Sequence, residues 1–93
     1  MIIAVLEIDF YLHDSQSLKD KRTILRAIKD RIGKKFNVSI AEVDFQDKWQ
    51  RSRIGIVQVG SDFKYLEKNI NSIFNIIDSN TSGEIIKHSL EFI

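Results

Sequence analysis

The residues of this sequence best suited to chemistry are basic, and they are concentrated in one segment. Between Ser17 and Phe36 the chain carries eight basic and two acidic residues, although the net charge of the whole chain is only +1. A helix of this segment would place several cations on one solvated face, over about 20 Å of axis. Repeated positive charge on a rigid element suits the tracking of nucleic-acid phosphates. The residues predicted to contact phosphates are Lys19, Lys21, Arg22, Arg26 and Lys29.

Two other interpretations of the basic segment are open. A solvated basic face can simply favour solubility, and it can also bind an acidic protein. The segment lacks the regular acidic partners, four residues away, that would neutralise its cations on the helix surface. This lack supports contact with nucleic acid and leaves the other two interpretations standing.

A second group with chemical potential is acidic. Glu42, Asp44 and Asp47 lie close together in the sequence, and with His13 and Asp9 they could form a site for a hard metal ion or for acid–base catalysis. No nucleophile with an adjacent base can be identified, and the chain has no glycine-rich phosphate-binding loop. We therefore predict no catalytic residues, no metal ligands and no cofactor, and a protein that is not an enzyme.

The acidic residues have a simpler structural interpretation. If the chain reverses direction about residues 47–48, Asp44 faces Arg51 and Glu42 faces Arg53 across a hairpin. Opposite charges on facing positions stabilise the pairing of two strands and fix its register. We predict these two cross-strand ion pairs.

Trp49 is the residue of this hairpin that folding explains least. A lone indole can cover the edge of a sheet, but tryptophan beside arginine is also common at interfaces, and it can stack on a base. We predict Trp49 and Arg51 as a second nucleic-acid contact. Base stacking on the sheet itself is not predicted, because the first strand offers only Tyr11 and residues 54–59 contain no aromatic side chain.

The elements that must position these residues follow from periodicity and capping. Residues 2–12 alternate as a strand with one apolar face. Ser17 with Asp20 three residues later predicts a helix start. The next prediction is a hairpin of strands 38–45 and 52–59, with either a bulge or a strand apolar on both faces near Ala41. A second helix capped by Ser61 or Asp62, a turn at 79–83 and a last strand at 84–93 should follow.

This βαββαβ order predicts an α+β ferredoxin-like sandwich, a four-stranded antiparallel sheet with two helices on one face, in a single domain of residues 1–93. The other sheet face has no cover. Its expected residues Ile3, Val5, Tyr11 and Ile93 are apolar enough to suggest a homodimer, through that face or through an edge strand.

Bulk composition limits the function further. Ninety-three residues make one domain, and the absence of cysteine excludes disulfides and thiolate sites. No run of about 18 apolar residues is present, and the amino terminus is typical of a strand rather than a signal peptide. We predict a cytoplasmic protein without a membrane segment.

Two polar blocks, residues 13–22 and 36–51, carry a family resemblance. Together with the chain length and their spacing, they resemble those of the YlxP-like family, small bacterial proteins of unknown function. The resemblance implies a ferredoxin-like fold and a gene neighbourhood of translation initiation and ribosome maturation. The family's hairpin typically has the pattern Asp-His-Gln-Asp, whereas Phe45 occupies the histidine place here.

Two hypotheses follow. The first is a non-enzymatic accessory protein that binds ribosomal RNA or a ribosome-assembly intermediate through the basic helix. The alternative is a homodimeric protein-interaction module whose 42–51 hairpin docks a partner.

Overall fold

A computed structural model describes residues 1–79 and 82–93. Its elements follow the predicted βαββαβ order, and the predicted turn at 79–83 lies partly outside the described residues. The elements are β1 (Ile2–Tyr11), α1 (Leu18–Lys35), β2 (Ser39–Asp44), β3 (Arg51–Gly60), α2 (Phe63–Asp78) and β4 (Glu84–Phe92).

The strands form one antiparallel sheet in the order β2-β3-β1-β4. Strand β1, the first in the chain, is therefore central, with β3 on one side and β4 on the other. Both helices cover the same face of the sheet, and the other face is open. This arrangement confirms the α+β ferredoxin-like fold.

The alternation in β1 decides which sheet face is buried. Ala4, Leu6, Ile8 and Phe10 point towards the helices and are almost completely inaccessible to solvent. Successive side chains of a strand point to opposite faces, so the intervening residues must lie on the open face. Removing these apolar side chains from water supplies the main driving force for folding.

Helix α1 begins where the sequence predicts. The Ser17 hydroxyl accepts a hydrogen bond from the Asp20 amide at 3.0 Å, and the Asp20 carboxylate accepts one from the Gln16 amide at 3.0 Å. These bonds satisfy main-chain donors that the first helical turn leaves without partners. The helix buries Leu25, Ile28 and Ile32 against the sheet.

Helix α2 starts after Asp62, one of the two predicted caps. The Asp62 carboxylate accepts from the amide of Lys64 at 3.0 Å. Apolar side chains then recur every three or four residues, so one stripe of the helix is buried. The buried residues of this stripe are Leu66, Ile70, Ile73 and Ile77.

The β2–β3 pairing contains a bulge, one of the two alternatives predicted near Ala41, and it lies two residues further on, at Val43. Ala41 faces Gly55 and Glu42 faces Ile54, whereas Asp44 faces Arg53. Immediately after the strand, Phe45 has a φ of 62°. The bulge therefore changes which hairpin side chains meet the helices and which meet the open face.

Neither helix of the described chain combines the length and the apolar character needed to cross a bilayer.

Candidate nucleic-acid interface

One face of α1 carries an exposed row of positive charge. Lys19, Arg22, Arg26 and Lys29 follow one another at intervals of three or four residues, and all four side chains are exposed. Within residues 1–79 and 82–93, none of the four forms an ion pair. We call these four residues the basic row. Their charges are available to a partner, because no carboxylate of the described chain neutralises them at contact distance.

The basic row borders a groove between α1 and the edge strand β2. The groove has a volume of about 310 Å³. Its floor is mainly apolar, whereas its helix side is cationic. The residues around it are Arg22, Leu25, Arg26, Lys29, Asp30, Ala41, Glu42 and Ile54. Three members of the basic row thus border a concave surface rather than an isolated helix.

Lys21 does not belong to this surface, and its predicted phosphate contact is wrong. Its side chain is 1% exposed. The ammonium Nζ donates to the carbonyl oxygens of Phe45 at 2.8 Å, Gln46 at 3.3 Å and Arg51 at 3.3 Å, and it lies 2.8 Å from a Glu42 carboxylate oxygen. An ammonium group has three N–H donors, and protein oxygens occupy its surroundings. Lys21 therefore anchors the hairpin to α1.

A signal for the burial of Lys21 was present in the sequence. At about 100° per residue, Lys21 falls in the same arc as Leu25, Ile28 and Ile32, away from its neighbour Arg22. A cation on the apolar side of a helix can remain charged only if buried oxygens meet it. The later polar block supplies those oxygens, so the two blocks of the sequence meet at Lys21.

The predicted cross-strand ion pairs are also wrong in their partners. Asp44 pairs with Arg53 at 3.1 Å instead of with Arg51. Glu42 pairs with Lys21, and its carboxylate accepts a hydrogen bond from the Ser52 hydroxyl at 2.7 Å. Two shifts account for the difference: Glu42 faces Ile54, one position from the predicted Arg53, and the bulge at Val43 moves Asp44 a further position, to face Arg53. The acidic residues nevertheless have structural partners, as the structural interpretation proposed.

On the open face of the sheet, Asp9 forms an ion pair with Arg53 in which the carboxylate is buried. Its carboxylate accepts from Nε of Arg53 at 2.6 Å and from a terminal nitrogen at 3.2 Å, and Asp9 is 3% exposed. Hydrogen bonding from Arg53 lowers the pKa of Asp9 below its ordinary value of 3.8, against the opposing effect of burial. The same bond raises the pKa of Arg53. The pair therefore remains charged at neutral pH.

Trp49 and Arg51 lie at different parts of the hairpin. Trp49 belongs to the loop between β2 and β3 and is 48% exposed. Arg51 begins β3 on the open face, where its guanidinium lies 4.6 Å from the centre of the Phe45 ring. Because Lys21 binds main-chain oxygens on both sides of this loop, the hairpin loop is held against the first turns of α1.

The residues proposed as a metal or acid–base cluster do not assemble into one. His13 lies 3.0 Å from Glu84, at the start of β4, whereas Glu42 contacts Lys21. Across residues 1–79 and 82–93, no three His, Asp or Glu side chains are grouped closely enough to hold a metal ion.

Comparison with known proteins agrees with the resemblance noted in the sequence. The model of a family described as "Protein of unknown function (DUF503)" matches residues 3–90. The chain is also 41% identical over 78 residues to the "Uncharacterized protein YlxP" of Bacillus subtilis (strain 168), which covers 84% of this chain and 85% of the relative. Neither description names a reaction, ligand or partner. The chain belongs to the DUF503 family of YlxP-like proteins.

Proposed function

We propose that this protein is a cytoplasmic, non-enzymatic accessory protein that binds ribosomal RNA, alone or in a ribosome-assembly intermediate. The basic row of α1 contacts the phosphates, and the exposed indole of Trp49 makes a second contact. Lys21 takes no direct part, since its role is to hold the hairpin loop beside the helix.

This proposal is supported by a difference among the basic side chains of α1, some of which have an ion-pair partner within residues 1–79 and 82–93 while others have none there. Lys21 faces inward and has oxygen partners, whereas the basic row faces outward without an ion pair in the described chain. Four cations along one side of a rigid helix form a linear array that matches a chain of phosphates. The translation neighbourhood implied by the resemblance favours ribosomal RNA as the partner.

The first test is the salt dependence of binding to a structured fragment of ribosomal RNA. Four phosphate contacts predict that log affinity falls against log salt with a slope of roughly −3. Fluorescence polarisation over a series of potassium chloride concentrations measures the slope. Affinity that does not respond to salt, or no binding at low salt, contradicts the proposal.

Charge reversal locates the binding face. The variant Arg22→Glu/Arg26→Glu should lose most RNA affinity and reduce the salt slope by about 2, because two phosphate contacts become repulsive. The matched control is Lys64→Glu/Lys68→Glu on α2. It makes the same change in net charge, with the same spacing, at two exposed lysines of the other helix. Equal losses in both variants would show a general charge effect instead of a site.

The ribosomal partner can be tested in a gentle lysate. A tagged protein should sediment with a ribosomal subunit or its precursor, and nuclease treatment should release it. Co-sedimentation should disappear in Arg22→Glu/Arg26→Glu and persist in Lys64→Glu/Lys68→Glu. Sedimentation of wild-type protein only at the top of the gradient, at low salt and without nuclease, argues against a ribosomal partner.

The alternative function, a homodimeric interaction module, is favoured by one part of the open sheet face. Ile3 faces Val59 and Val5 faces Val57 on adjacent strands, and the amide of Ile3 bonds to the carbonyl of Ile93 at 2.8 Å. Val57, Val59 and Ile93 are 39%, 58% and 64% exposed. This apolar patch lies at the start of β1, whereas Tyr11 lies at the end of the strand. Tyr11, one of the residues expected in the dimer interface, is therefore not part of this patch.

A second copy of the chain would bury this patch, leaving the hairpin at the other end free to dock a partner. Light scattering at micromolar concentration should then give the mass of a dimer, and Val59→Lys should give a monomer that remains folded. A wild-type monomer under these conditions refutes this alternative. The outcome is independent of RNA binding, because the basic row lies on the helix side of the sheet.

A further inference from the structure

Phe45 occupies an unusual position at the end of β2. Its φ of 62° is left-handed, a backbone conformation that few residues other than glycine adopt and that costs about 1–3 kcal/mol. The turn brings its ring against the guanidinium groups of Arg51 and Arg53, at 4.6 and 5.3 Å. Both arginines belong to the open face of β3, so the hairpin adds an aromatic ring to a face on which the strands themselves provide only Tyr11.

Tyr11, Arg51 and Phe45 form a continuous row across that face. Tyr11 of β1 is directly opposite Arg51 of β3, and Arg51 lies over Phe45. The ring of His13 meets Tyr11 edge-on at 4.5 Å, and the Tyr11 hydroxyl donates to Gln50 at 3.3 Å. The order across the face is thus Tyr11, Arg51 and Phe45, with the guanidinium of Arg51 against the Phe45 ring before any ligand arrives. We call Tyr11, Arg51 and Phe45 the stacking row.

The two arginines beside Phe45 differ in what neutralises them. Arg53 binds the carboxylates of Asp9 and Asp44. Arg51 forms no ion pair within residues 1–79 and 82–93, and its Nε is the one buried side-chain nitrogen or oxygen of this part of the chain without a hydrogen-bond partner. Arg51 therefore presents a positive charge without an ion-pair partner in the described chain, beside the Phe45 ring.

The hairpin connects the helix side of the sheet, where the basic row lies, with the open face, where the stacking row lies. Lys21 contacts the carbonyls of both Phe45 and Arg51, which flank the hairpin loop. Lys19 and Arg22 lie on the same helical turns as Lys21 and are exposed. A nucleic-acid strand that contacts both rows must therefore pass around the hairpin, from the helix side to the open face.

We propose that the stacking row binds an unpaired base, so that the RNA recognised by this protein is single-stranded where it passes the hairpin. This inference rests on the proposed RNA binding and adds the class of RNA. Aromatic rings and arginine planes are the surfaces on which unpaired bases stack, whereas the bases of a duplex are already stacked on one another. The charge of Arg51 favours the phosphate attached to that base.

The test compares two RNAs and a substitution that preserves charge. The probes are a fluorescent 12-nucleotide single strand without secondary structure and a 12-base-pair duplex. Arg51→Lys retains the positive charge but removes the planar group. It should weaken binding of the single strand about tenfold, with the salt slope and the duplex affinity unchanged. Arg31→Lys, the same change at an exposed arginine of α1 outside the basic row, should alter neither affinity.

A second variant, Tyr11→Leu, removes a stacking ring without changing charge and should produce a similar selective loss. The fluorescence of Trp49, the only tryptophan, reports whether each variant keeps the wild-type fold. Equal weakening of both RNAs by Arg51→Lys, or no weakening of the single strand by either variant, refutes the stacking row while RNA binding itself stands. Wild-type protein that binds neither RNA in a salt-dependent way refutes both proposals.

Discussion

Lys21 and Arg22 are neighbours in the sequence and carry the same charge, but the helix turns them to opposite environments. Lys21 is 1% exposed and meets four oxygen atoms, whereas Arg22 is exposed and borders an open groove without an ion pair in the described chain. The difference is one of orientation, since adjacent positions on a helix are about 100° apart. One basic segment therefore contains two kinds of cation, with separate roles in folding and in binding.

The buried and the exposed cations of this segment should contribute differently to stability. A buried cation that loses its side chain leaves an unpaired carboxylate and carbonyl groups without a donor, which is costly in a dry interior. An exposed cation leaves only solvated surface behind. The stability of the protein should therefore depend strongly on Lys21 and weakly on the basic row, whereas RNA affinity should show the reverse order.

The largest effect is expected for Lys21→Met, which keeps the apolar stem and removes the ammonium group. Glu42 would remain partly buried without its cation, and the carbonyls of Phe45, Gln46 and Arg51 would lose a donor. The free energy of unfolding should fall by about 3–5 kcal/mol, as for other broken buried ion pairs. Urea unfolding followed by Trp49 fluorescence measures the change.

Arg22→Met is the matched control for this prediction. It should change the free energy of unfolding by no more than about 0.5 kcal/mol, as is usual for surface positions. Because Lys21 is shielded from solvent, the difference between the two variants should persist in 1 M salt. Similar values for the two variants would remove the distinction between an anchoring and a binding cation.

An intermediate effect is expected at the ion pair of Asp9 with Arg53. In this pair the carboxylate is buried, whereas the arginine side chain is partly exposed. At neutral pH, Asp9→Asn should reduce the free energy of unfolding by roughly 1.5–3 kcal/mol, the range for hydrogen bonds to charged groups. Arg53 lowers the pKa of Asp9 below 3.8, so the pair contributes fully above that pH and loses its contribution as pH falls through the lowered pKa.

Wild type and Asp9→Asn should therefore differ most at neutral pH and converge in acid. Thermal melts between about pH 2 and pH 7 can follow this convergence. A difference that stays constant down to the lowest pH would mean that the variant acts through packing and not through the charge of Asp9.

A smaller effect is expected at the start of the helix that presents both kinds of cation. Ser17→Ala removes the acceptor for the Asp20 amide and should cost about 1 kcal/mol. Ser61→Ala is the control, because Asp62 and not Ser61 caps α2, and it should be nearly neutral. Urea unfolding measures both changes. Equal effects would show that hydroxyl groups at these positions contribute through something other than capping.

The smallest effect is expected for Arg26→Gln in the basic row. Arg22 and Lys29 repel Arg26 across successive helical turns, whereas Asp30, four residues after Arg26, attracts it. Removing the central charge should therefore stabilise the protein slightly, by no more than about 0.2–0.5 kcal/mol at low salt. The gain should disappear in 1 M salt, where charges are screened over about 3 Å. A loss of about 1 kcal/mol or more would instead indicate that Arg26 has a structural partner.

The fold could be predicted from the sequence because its signals are local. Alternation in β1 identified the buried residues Leu6 and Ile8. Ser17 marked the start of α1, and the pair Ser61 or Asp62 marked the start of α2 to within one residue. Each signal involves residues close to one another in the chain. The strand order then followed from the small number of topologies that a βαββαβ chain adopts.

The details of the site could not be predicted in the same way, because they depend on one residue. The bulge at Val43 decides that Asp44 meets Arg53 and that Phe45 joins the open face, and the alternation of β2 indicated an irregularity near Ala41 without fixing its position or its consequence. The burial of Lys21 was visible on the helical wheel, but its oxygen partners come from a hairpin more than twenty residues away. Such contacts depend on register, which sequence periodicity does not determine.

The central place of β1 has a consequence for synthesis. Of the four strands of this sheet, β1 is made first, and it pairs with β3 and β4 but not with β2. Both edges of β1 therefore lack a hydrogen-bonded neighbour until β3 emerges, and one edge remains unpaired until β4 follows. Folding that waits for distant segments is slower than folding from local contacts. In a nascent chain, β1 must thus stay without one or both of its neighbouring strands until β4 has been made.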